Sequence, residues 1–237
     1  MRFKMYFTLE NTRVPIDYRR SILSFIKLSL SEYSEEFFKK YYNQKDNIVK
    51  PYAFSVFFRN PKINAEEVIV DDKRFELNLT IEDYETAIMF YNAFNNQRLK
   101  KFSIDRNSWI LQKIVLIPEK KICDEKIIIK FQSPLCVRLR ENNKDYYYSY
   151  ENEKFSEVLK INIKEQLKRS NVALDSVDNF KIVPIKPKKV IIKFYEKQIE
   201  CSTGIFELDG DVELLNYLYN AGMGSKHSAG FGMFQVV

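Results

Sequence analysis

The stretch of this sequence whose residue types most suggest chemistry is GMGSKHSAGFG, residues 222–232. It holds four of the six glycines in the chain, and no glycine precedes Gly204. Glycine tolerates positive φ and lets other groups approach the main chain closely. Gly224 would allow successive backbone N–H groups to turn toward one ligand, and Lys226 would add positive charge. The pattern therefore predicts a loop that holds an anionic ligand.

The glycine spacing does not match the common nucleotide-binding loops. Residue 227 is histidine where GxGxxG needs glycine, and no GxxxxGK[ST] sequence occurs. Those motifs also open a helix, whereas these glycines follow a predicted helix that ends near Ala221. Two interpretations remain. The loop holds an RNA backbone, or Gly222 caps the helix while Gly230 and Gly232 mark close packing points on the last strand.

Composition and charge indicate a globular protein with an anionic partner. Of the 237 residues, 45% are hydrophobic, and 38 Lys and Arg against 32 Asp and Glu give a net charge of +6. Residues 181–197 contain six lysines and one acid, Glu196. This segment, which includes Lys188 and Lys189, predicts a basic strand along an RNA backbone. The alternative is an edge strand whose lysines discourage aggregation.

Cysteine spacing and hydropathy indicate whether the protein binds a metal ion and whether it enters a membrane. Cys123, Cys136 and Cys201 are widely spaced and lack the spacing of metal ligands. No segment approaches the roughly 18 apolar residues of a transmembrane helix, and the first residues do not resemble a signal peptide. We therefore expect a cytoplasmic protein that uses no metal or other cofactor and contacts no membrane.

Apolar periodicity predicts an α+β fold made of two similar units. Near-alternation predicts a strand in MRFKMYFTL, and Tyr84, Ala87, Ile88 and Tyr91 are predicted to form the buried face of a helix. Each half follows the order β-α-β-β-α-β. We therefore predict two tandem ferredoxin-like (RRM-like) domains with a C-terminal glycine-rich loop. Residues 1–120 would carry the candidate active-site region, and residues 121–237 the loop.

Four stretches in order resemble one known family. The run Gly222-x-Gly224-x5-Gly230-Phe231-Gly232 is similar to the glycine signature of the CRISPR-associated endoribonucleases that cut precursor CRISPR RNA in its repeats, members of the RAMP superfamily. The opening MRFKMYF, KPYAFSVFF at 50–58 and SPLCVRLR at 133–140 fit the same family. The resemblance covers essentially the whole chain.

The resemblance implies a fold and a reaction. Repeat RNA would bind across two ferredoxin-like domains and along the glycine-rich loop. The ribose 2′-hydroxyl would attack the adjacent phosphate without metal, leaving a 2′,3′-cyclic phosphate. Such a reaction needs a base, an acid and a cation on the phosphorane oxygens.

The sequence departs from the family at the residue that many members use for proton transfer. Where a histidine would be sought, the chain has Asn43 and Gln44, whose amides do not titrate usefully. Lys50 matches a lysine position of the family and would stabilise transition-state charge, unless it is an ordinary surface lysine. Tyr41 or Tyr42 would orient or deprotonate the 2′-hydroxyl, unless both only pack at a helix end.

The sole histidine, His227, lies in the glycine loop. It would either protonate the leaving group or contact phosphate, and we favour the contact. Tyr146, Tyr147, Tyr148 and Tyr150 would stack unpaired bases, although in a strand alternate residues point into the core, and we expect at least two of them there. The residues predicted to contact RNA are Gly222, Gly224, Ser225, Lys226, His227, Gly230, Gly232, Lys188 and Lys189.

Three functions remain open at this point. We favour a repeat-cleaving endoribonuclease, either monomeric or homodimeric, that associates with CRISPR effector proteins. The missing histidine supports an alternative, a non-catalytic RNA-binding subunit of a CRISPR effector complex. A third option is an unrelated ferredoxin-like RNA-binding module, and the four ordered stretches argue against it.

Overall fold

The structure of the protein is a computed structural model that describes residues 1–42, 49–104, 107–168 and 170–237. Asn43 and Gln44, where a histidine would be sought, lie outside the described residues. The elements of the N-terminal half are, in chain order, β1 (Arg2–Leu9), β2 (Arg13–Pro15), α1 (Tyr18–Tyr33), α2 (Glu35–Tyr42), β3 (Tyr52–Phe58), β4 (Lys62–Ile63), β5 (Glu67–Ile69), β6 (Arg74–Ile81), α3 (Tyr84–Asn96), β7 (Lys101–Ile104) and β8 (Asn107–Ile117).

The N-terminal half is built on an antiparallel sheet with the strand order β3-β6-β1-β8-β7. In β1, Phe3, Met5 and Phe7 are buried and alternate with more exposed residues. Phe7 meets Phe25 of α1 edge-on, with 5.3 Å between ring centres, so the helices cover this face of the sheet. A small sheet, β2-β5-β4, lies beside it. The first predicted β-α-β-β-α-β unit is confirmed.

The predicted buried face of α3 is wrong in part. Ala87 is buried, but Tyr84, Ile88 and Tyr91 are 64%, 53% and 40% exposed. The helix instead buries Phe90, beside α1 and the sheet. Its 13 residues include a single charge, so apolar side chains surround most of the helix and periodicity does not single out one stripe.

The C-terminal half repeats the topology with a different elaboration. Its sheet has the order β12-β13-β9-β14, and β10 and β11 form a separate hairpin. No helix within the described residues is both long and apolar enough to span a bilayer. The elements are β9 (Lys126–Phe131), β10 (Val137–Glu141), β11 (Lys144–Tyr148), α4 (Phe155–Leu167), β12 (Lys181–Phe194), β13 (Lys197–Asp209), α5 (Val212–Ala221) and β14 (Phe234–Val236).

The predicted domain boundary between residues 120 and 121 falls in the connection between β8 and β9. It stays a prediction, although one hydrophobic cluster is confined to the N-terminal half and a second to the C-terminal half. A third, smaller cluster joins Leu23 of α1 to Phe194 and Phe231 of the C-terminal half.

The hairpin of β12 and β13 extends far beyond its sheet. β13 pairs with β9 only through Ile205–Asp209, and residues 187–204 form an arm whose two strands pair with each other, with one further bridge between Ser202 and Leu135. At the arm's tip, the Tyr195 N–H donates to Asp17 Oδ2 at 3.4 Å, and the Arg20 guanidinium lies 4.8 Å from the Tyr195 ring centre. The arm therefore reaches the start of α1 in the other half.

Arg2, the first residue of β1, makes a second set of contacts between the two halves. Its buried guanidinium donates to the backbone oxygens of Tyr219 and Phe234, the latter at 2.9 Å, and lies 3.5 Å from the Tyr219 ring centre. Thr80 of β6 donates to the Asn220 oxygen at 2.9 Å. A buried charge is tolerable only with such partners.

We predict that Arg2→Met lowers the free energy of unfolding by about 3 kcal/mol, because two buried carbonyl oxygens lose their charged donor. Arg13→Met is the matched control, since Arg13 is 71% exposed and pairs only at the surface with Glu67. Its cost should be about 1 kcal/mol or less. Urea unfolding of both variants measures the difference, and equal losses would contradict a stabilising junction at Arg2.

Candidate nucleic-acid interface and active site

The glycine-rich loop, residues 222–232, packs between the two halves. Gly222 ends α5 with φ of 84°, and a Cβ there would lie 2.4 Å from the Cβ of Ala53 in β3. Gly230 has φ of 86°, and a Cβ there would lie 2.6 Å from the Phe54 ring. Both positions need glycine because side chains at positive φ are strained and β3 leaves no room for them.

The backbone N–H groups of the other loop glycines already have partners within the protein. The Gly224 N–H donates to Gln166 Oε1 at 3.0 Å, and the Gly232 N–H donates to the Pro134 oxygen at 2.9 Å. The four glycines are buried, whereas Ser225 and Lys226 are partly exposed. RNA contact by the loop stays a prediction, and its more accessible part is the segment around Ser225 and Lys226.

His227 is buried and joins the loop to β3. Its Nδ1 lies 2.9 Å from the Tyr52 carbonyl oxygen, which can only accept, so Nδ1 carries the proton. Burial lowers the pKa of His227 to about 4, the carbonyl groups of Tyr52 and Ala221 partly oppose this, and the charge of Lys50 lowers it further. The ring is therefore neutral near pH 7.

Tyr42 and Lys50 are in contact, and Tyr42 bonds Tyr52, the residue whose carbonyl oxygen bonds His227. The phenol oxygens of Tyr42 and Tyr52 share a hydrogen bond of 2.6 Å. The Nζ atoms of Lys50 and Lys27 lie 4.9 and 5.3 Å from the Tyr42 ring centre. Burial raises the pKa of Tyr42 to about 12, so its phenol stays protonated.

The two lysines make this cluster electropositive. Burial lowers the pKa of Lys50, and the nearby charge of Lys27 lowers it further. Two like charges that approach one ring favour an anion between them. We call Lys27, Lys50, Tyr42, Tyr52 and His227 the junction cluster.

Other predicted residues lie elsewhere. The Tyr41 hydroxyl is buried in the N-terminal half and bonds Thr86 Oγ1 at 2.8 Å. On the arm, Lys189 pairs with Glu200 at 3.2 Å and Glu151 at 3.4 Å, while Lys188 is exposed. The structure thus brings three of the four catalytic candidates together, and Tyr41 and the arm lysines lie outside the cluster.

The four tyrosines after β10 do not share one environment. Tyr148 and Tyr150 pack against the C-terminal core, which confirms that at least two of the four contribute to it. Tyr146 is 45% exposed, and Tyr147 packs beside the arm.

Sequence reasoning missed Arg19 and Tyr52. The buried Arg19 Nε donates to the Gly230 oxygen at 3.2 Å, and its guanidinium lies 5.0 Å from the Phe231 ring centre. A signal for Arg19 existed, because it shares a helical face with the apolar Ile22 and Ile26. Within the described residues, no three His, Cys, Asp or Glu side chains form a metal-binding group.

We predict that acid destabilises the protein partly through His227. Its folded pKa lies below its unfolded value, so between about pH 6.5 and 4 the unfolded chain binds the extra proton and stability falls as pH falls. From pH 7.5 to 5.0 the wild type should lose about 2 kcal/mol more than His227→Gln, which does not titrate. Urea unfolding at both pH values measures this difference, and parallel losses would show that His227 titrates normally.

Comparisons with known proteins relate this geometry to one family. Residues 117–236 match the model of the family described as CRISPR associated protein Cas6, C-terminal. A curated protein of Methanocaldococcus jannaschii, named CRISPR-associated endoribonuclease Cas6 1, is 25% identical over 240 residues, covering 98% of this chain and 91% of that protein.

Solved structures share the fold over the whole chain. A structure titled as a Cas6-related gene from Pyrococcus furiosus superposes with a TM-score of 0.85 at 19% identity, covering 100% of this chain and 98% of the other. One titled as a RAMP protein binding different RNA substrates has a TM-score of 0.86 at 20% identity, with 100% and 99% coverage. Since the family model matches half of the chain, the protein belongs to the Cas6 family of CRISPR-associated proteins.

Proposed function

We propose that the protein is a metal-independent endoribonuclease that binds CRISPR repeat RNA and cuts the precursor through attack of a 2′-hydroxyl, leaving a 2′,3′-cyclic phosphate. The observation that carries the proposal is the junction cluster, where Lys50 lies beside the Tyr42 ring and Tyr52 contacts both Tyr42 and the loop residue His227. The relative named an endoribonuclease, which aligns with nearly the whole chain, supports the same reaction.

Lys50 is the residue we assign to charge stabilisation. Its ammonium group is partly buried beside Lys27, where a phosphorane dianion would relieve the repulsion between the two. A preorganised cation in a partly dehydrated site stabilises developing charge more than it would in water.

Tyr42 is assigned to orientation of the 2′-hydroxyl. With its pKa raised to about 12, the phenol stays protonated and offers a hydrogen bond held in place by Tyr52. In-line placement of the attacking oxygen alone contributes much of such a rate. His227 is assigned to holding the loop on β3, and RNA contact or proton transfer by it stays a prediction. For Tyr41, whose hydroxyl is occupied by Thr86, a catalytic role also stays a prediction.

RNA would reach the cluster along basic surface on the arm and the loop. Lys188 is exposed on the edge strand β12. Lys189 would contact phosphate by replacing its ion pair with Glu200 or Glu151 by one with the RNA. Homodimer formation and association with CRISPR effector proteins stay predictions.

The alternative function is RNA binding without cleavage. It is favoured by one observation: neither His227 nor Tyr42 titrates near neutral pH, since the pKa of His227 is lowered to about 4 and that of Tyr42 is raised to about 12. The experiment below separates the two functions.

We predict that the purified protein cuts end-labelled repeat RNA at one position in EDTA, and that a 2′-deoxyribose at that position abolishes cutting. Lys50→Ala should slow the single-turnover rate by about 100-fold, because the transition-state charge loses its cation. Lys50→Arg should recover much of the rate. Lys39→Ala is the control, since Lys39 is exposed and pairs with Glu35 at 2.7 Å. Tight binding with no product would support the non-catalytic alternative.

We also predict the pH dependence of cutting. If neither His227 nor Tyr42 exchanges a proton near neutrality, the single-turnover rate rises steadily from pH 6 to 8 as the 2′-hydroxyl becomes easier to ionise. A bell-shaped profile with a limb near pH 6.5 that disappears in His227→Gln would instead assign proton transfer to His227.

A further inference from the structure

A pocket of about 260 Å³ lies beside the glycine loop, between the β10–β11 hairpin and the tip of the arm. Three aromatic rings line it, and two lysines and one carboxylate complete its polar lining. These residues are Tyr147, Phe194, Tyr195, Lys197, Lys226 and Asp145. Aromatic faces combined with cations are the chemistry that holds unpaired nucleotides.

Positive charge exceeds negative charge around the pocket. The Asp145 carboxylate is already shared, since Oδ1 lies 3.3 Å from Arg138 and Oδ2 lies 3.9 Å from Lys197. Burial lowers the pKa of Lys226, and the charges of Arg138 and Lys197 lower it further. Three cations thus surround one carboxylate, a net charge of +2 that favours an anionic ligand.

Two residues that line the pocket, Tyr195 and Lys226, have a positive φ, which is unfavourable for residues other than glycine. Tyr195 and Glu196 form the arm's two-residue turn with φ of 47° and 59°, where Asn-Gly is strongly preferred. Lys226 has φ of 60° in a loop that elsewhere uses glycine at positive φ. Non-glycine residues at such φ concentrate where their side chains serve a function.

The pocket adjoins the junction cluster. Lys226 precedes His227 directly, and its Nζ lies 5.8 Å from the Phe194 ring centre. Tyr195 is anchored to the N-terminal half through Asp17 and Arg20 and is near enough to Tyr42 to help raise its pKa. One RNA strand can therefore occupy both places.

We propose that this pocket holds a single unpaired nucleotide of the bound RNA, with its base against Tyr147 and Tyr195 and its phosphate beside Lys197 and Lys226. The pocket is smaller than the roughly 300–1,000 Å³ of drug-sized sites, which suits one nucleotide and excludes a duplex. The inference rests on the proposed function and adds to it a fixed nucleotide next to the cut.

The test combines a substitution in the protein with abasic replacements in the RNA. Repeat RNA, protected by a 2′-deoxyribose at any cut site, is made with each nucleotide in turn replaced by an abasic residue, and binding to the full-length protein is measured by fluorescence anisotropy. One position should weaken wild-type binding by about 5-fold or more, the loss expected for one stacked base. Tyr147→Ala should weaken binding of intact RNA similarly, and the abasic change at that position should then cost nothing further.

Two matched variants control for hairpin damage. Glu141→Gln alters an exposed residue of β10 in the same hairpin, which does not line the pocket, and should leave binding within about twofold of wild type. Tyr147→Phe keeps the ring and loses only the hydroxyl bond to Asp145, so binding should stay within about twofold of wild type. If Tyr147→Ala does not fold, Tyr195→Ala replaces it, because that ring is 49% exposed.

The outcomes separate this inference from the proposed function. If the protein binds and cuts repeat RNA while Tyr147→Ala binds RNA as tightly as wild type, the pocket assignment is overturned and the function stands. The same conclusion follows if the loss of affinity from Tyr147→Ala and the loss from the abasic change add in full. Absence of RNA binding by the wild type overturns both. If 5′-UMP or 5′-AMP alone binds as tightly as the RNA and depends on Tyr147, the pocket belongs to a free nucleotide and the RNA assignment is overturned.

Discussion

The rest of the structure depends on the contact between the glycine-rich loop and the start of β3. Three successive strand residues, Tyr52, Ala53 and Phe54, meet His227, Gly222 and Gly230 in turn. Side chains at the two glycine positions would collide with the strand, so the loop's composition is what lets the two halves approach. Because Lys50 and Tyr42 lie beside the same strand, this approach also assembles the junction cluster.

A consequence of that contact is that the chain's only histidine is buried and joins the loop to β3. Burial against β3 keeps the pKa of His227 far below neutrality and directs Nδ1 to the Tyr52 oxygen. In the proposed function, the reaction would rely on the partly buried Lys50, the hydrogen-bonded phenol of Tyr42 and the 2′-hydroxyl of the RNA itself. These proposed roles need no titrating side chain at positions 43 and 44, where the sequence has Asn and Gln.

The sequence predicts the repeated β-α-β-β-α-β order well, because alternation of apolar and polar residues, as in β1, reports directly on burial. It also locates the loop, because glycine is scarce elsewhere. It does not reveal that the loop packs inward or that Arg19 bonds the Gly230 oxygen, since both depend on contacts between distant segments. The face of α3 is misassigned for a similar reason: neighbouring elements decide which of its apolar residues are covered.

The measurement that tests the central claim most directly is photo-crosslinking of repeat RNA that carries 4-thiouridine next to its cut site, with the modified peptides identified by mass spectrometry. The account predicts crosslinks within the junction, in peptides that contain Lys50, Tyr195 or Lys226. Crosslinks confined to the β2-β5-β4 sheet or to the exposed face of α3 would contradict it, because the RNA would then lie away from the contact that assembles the site.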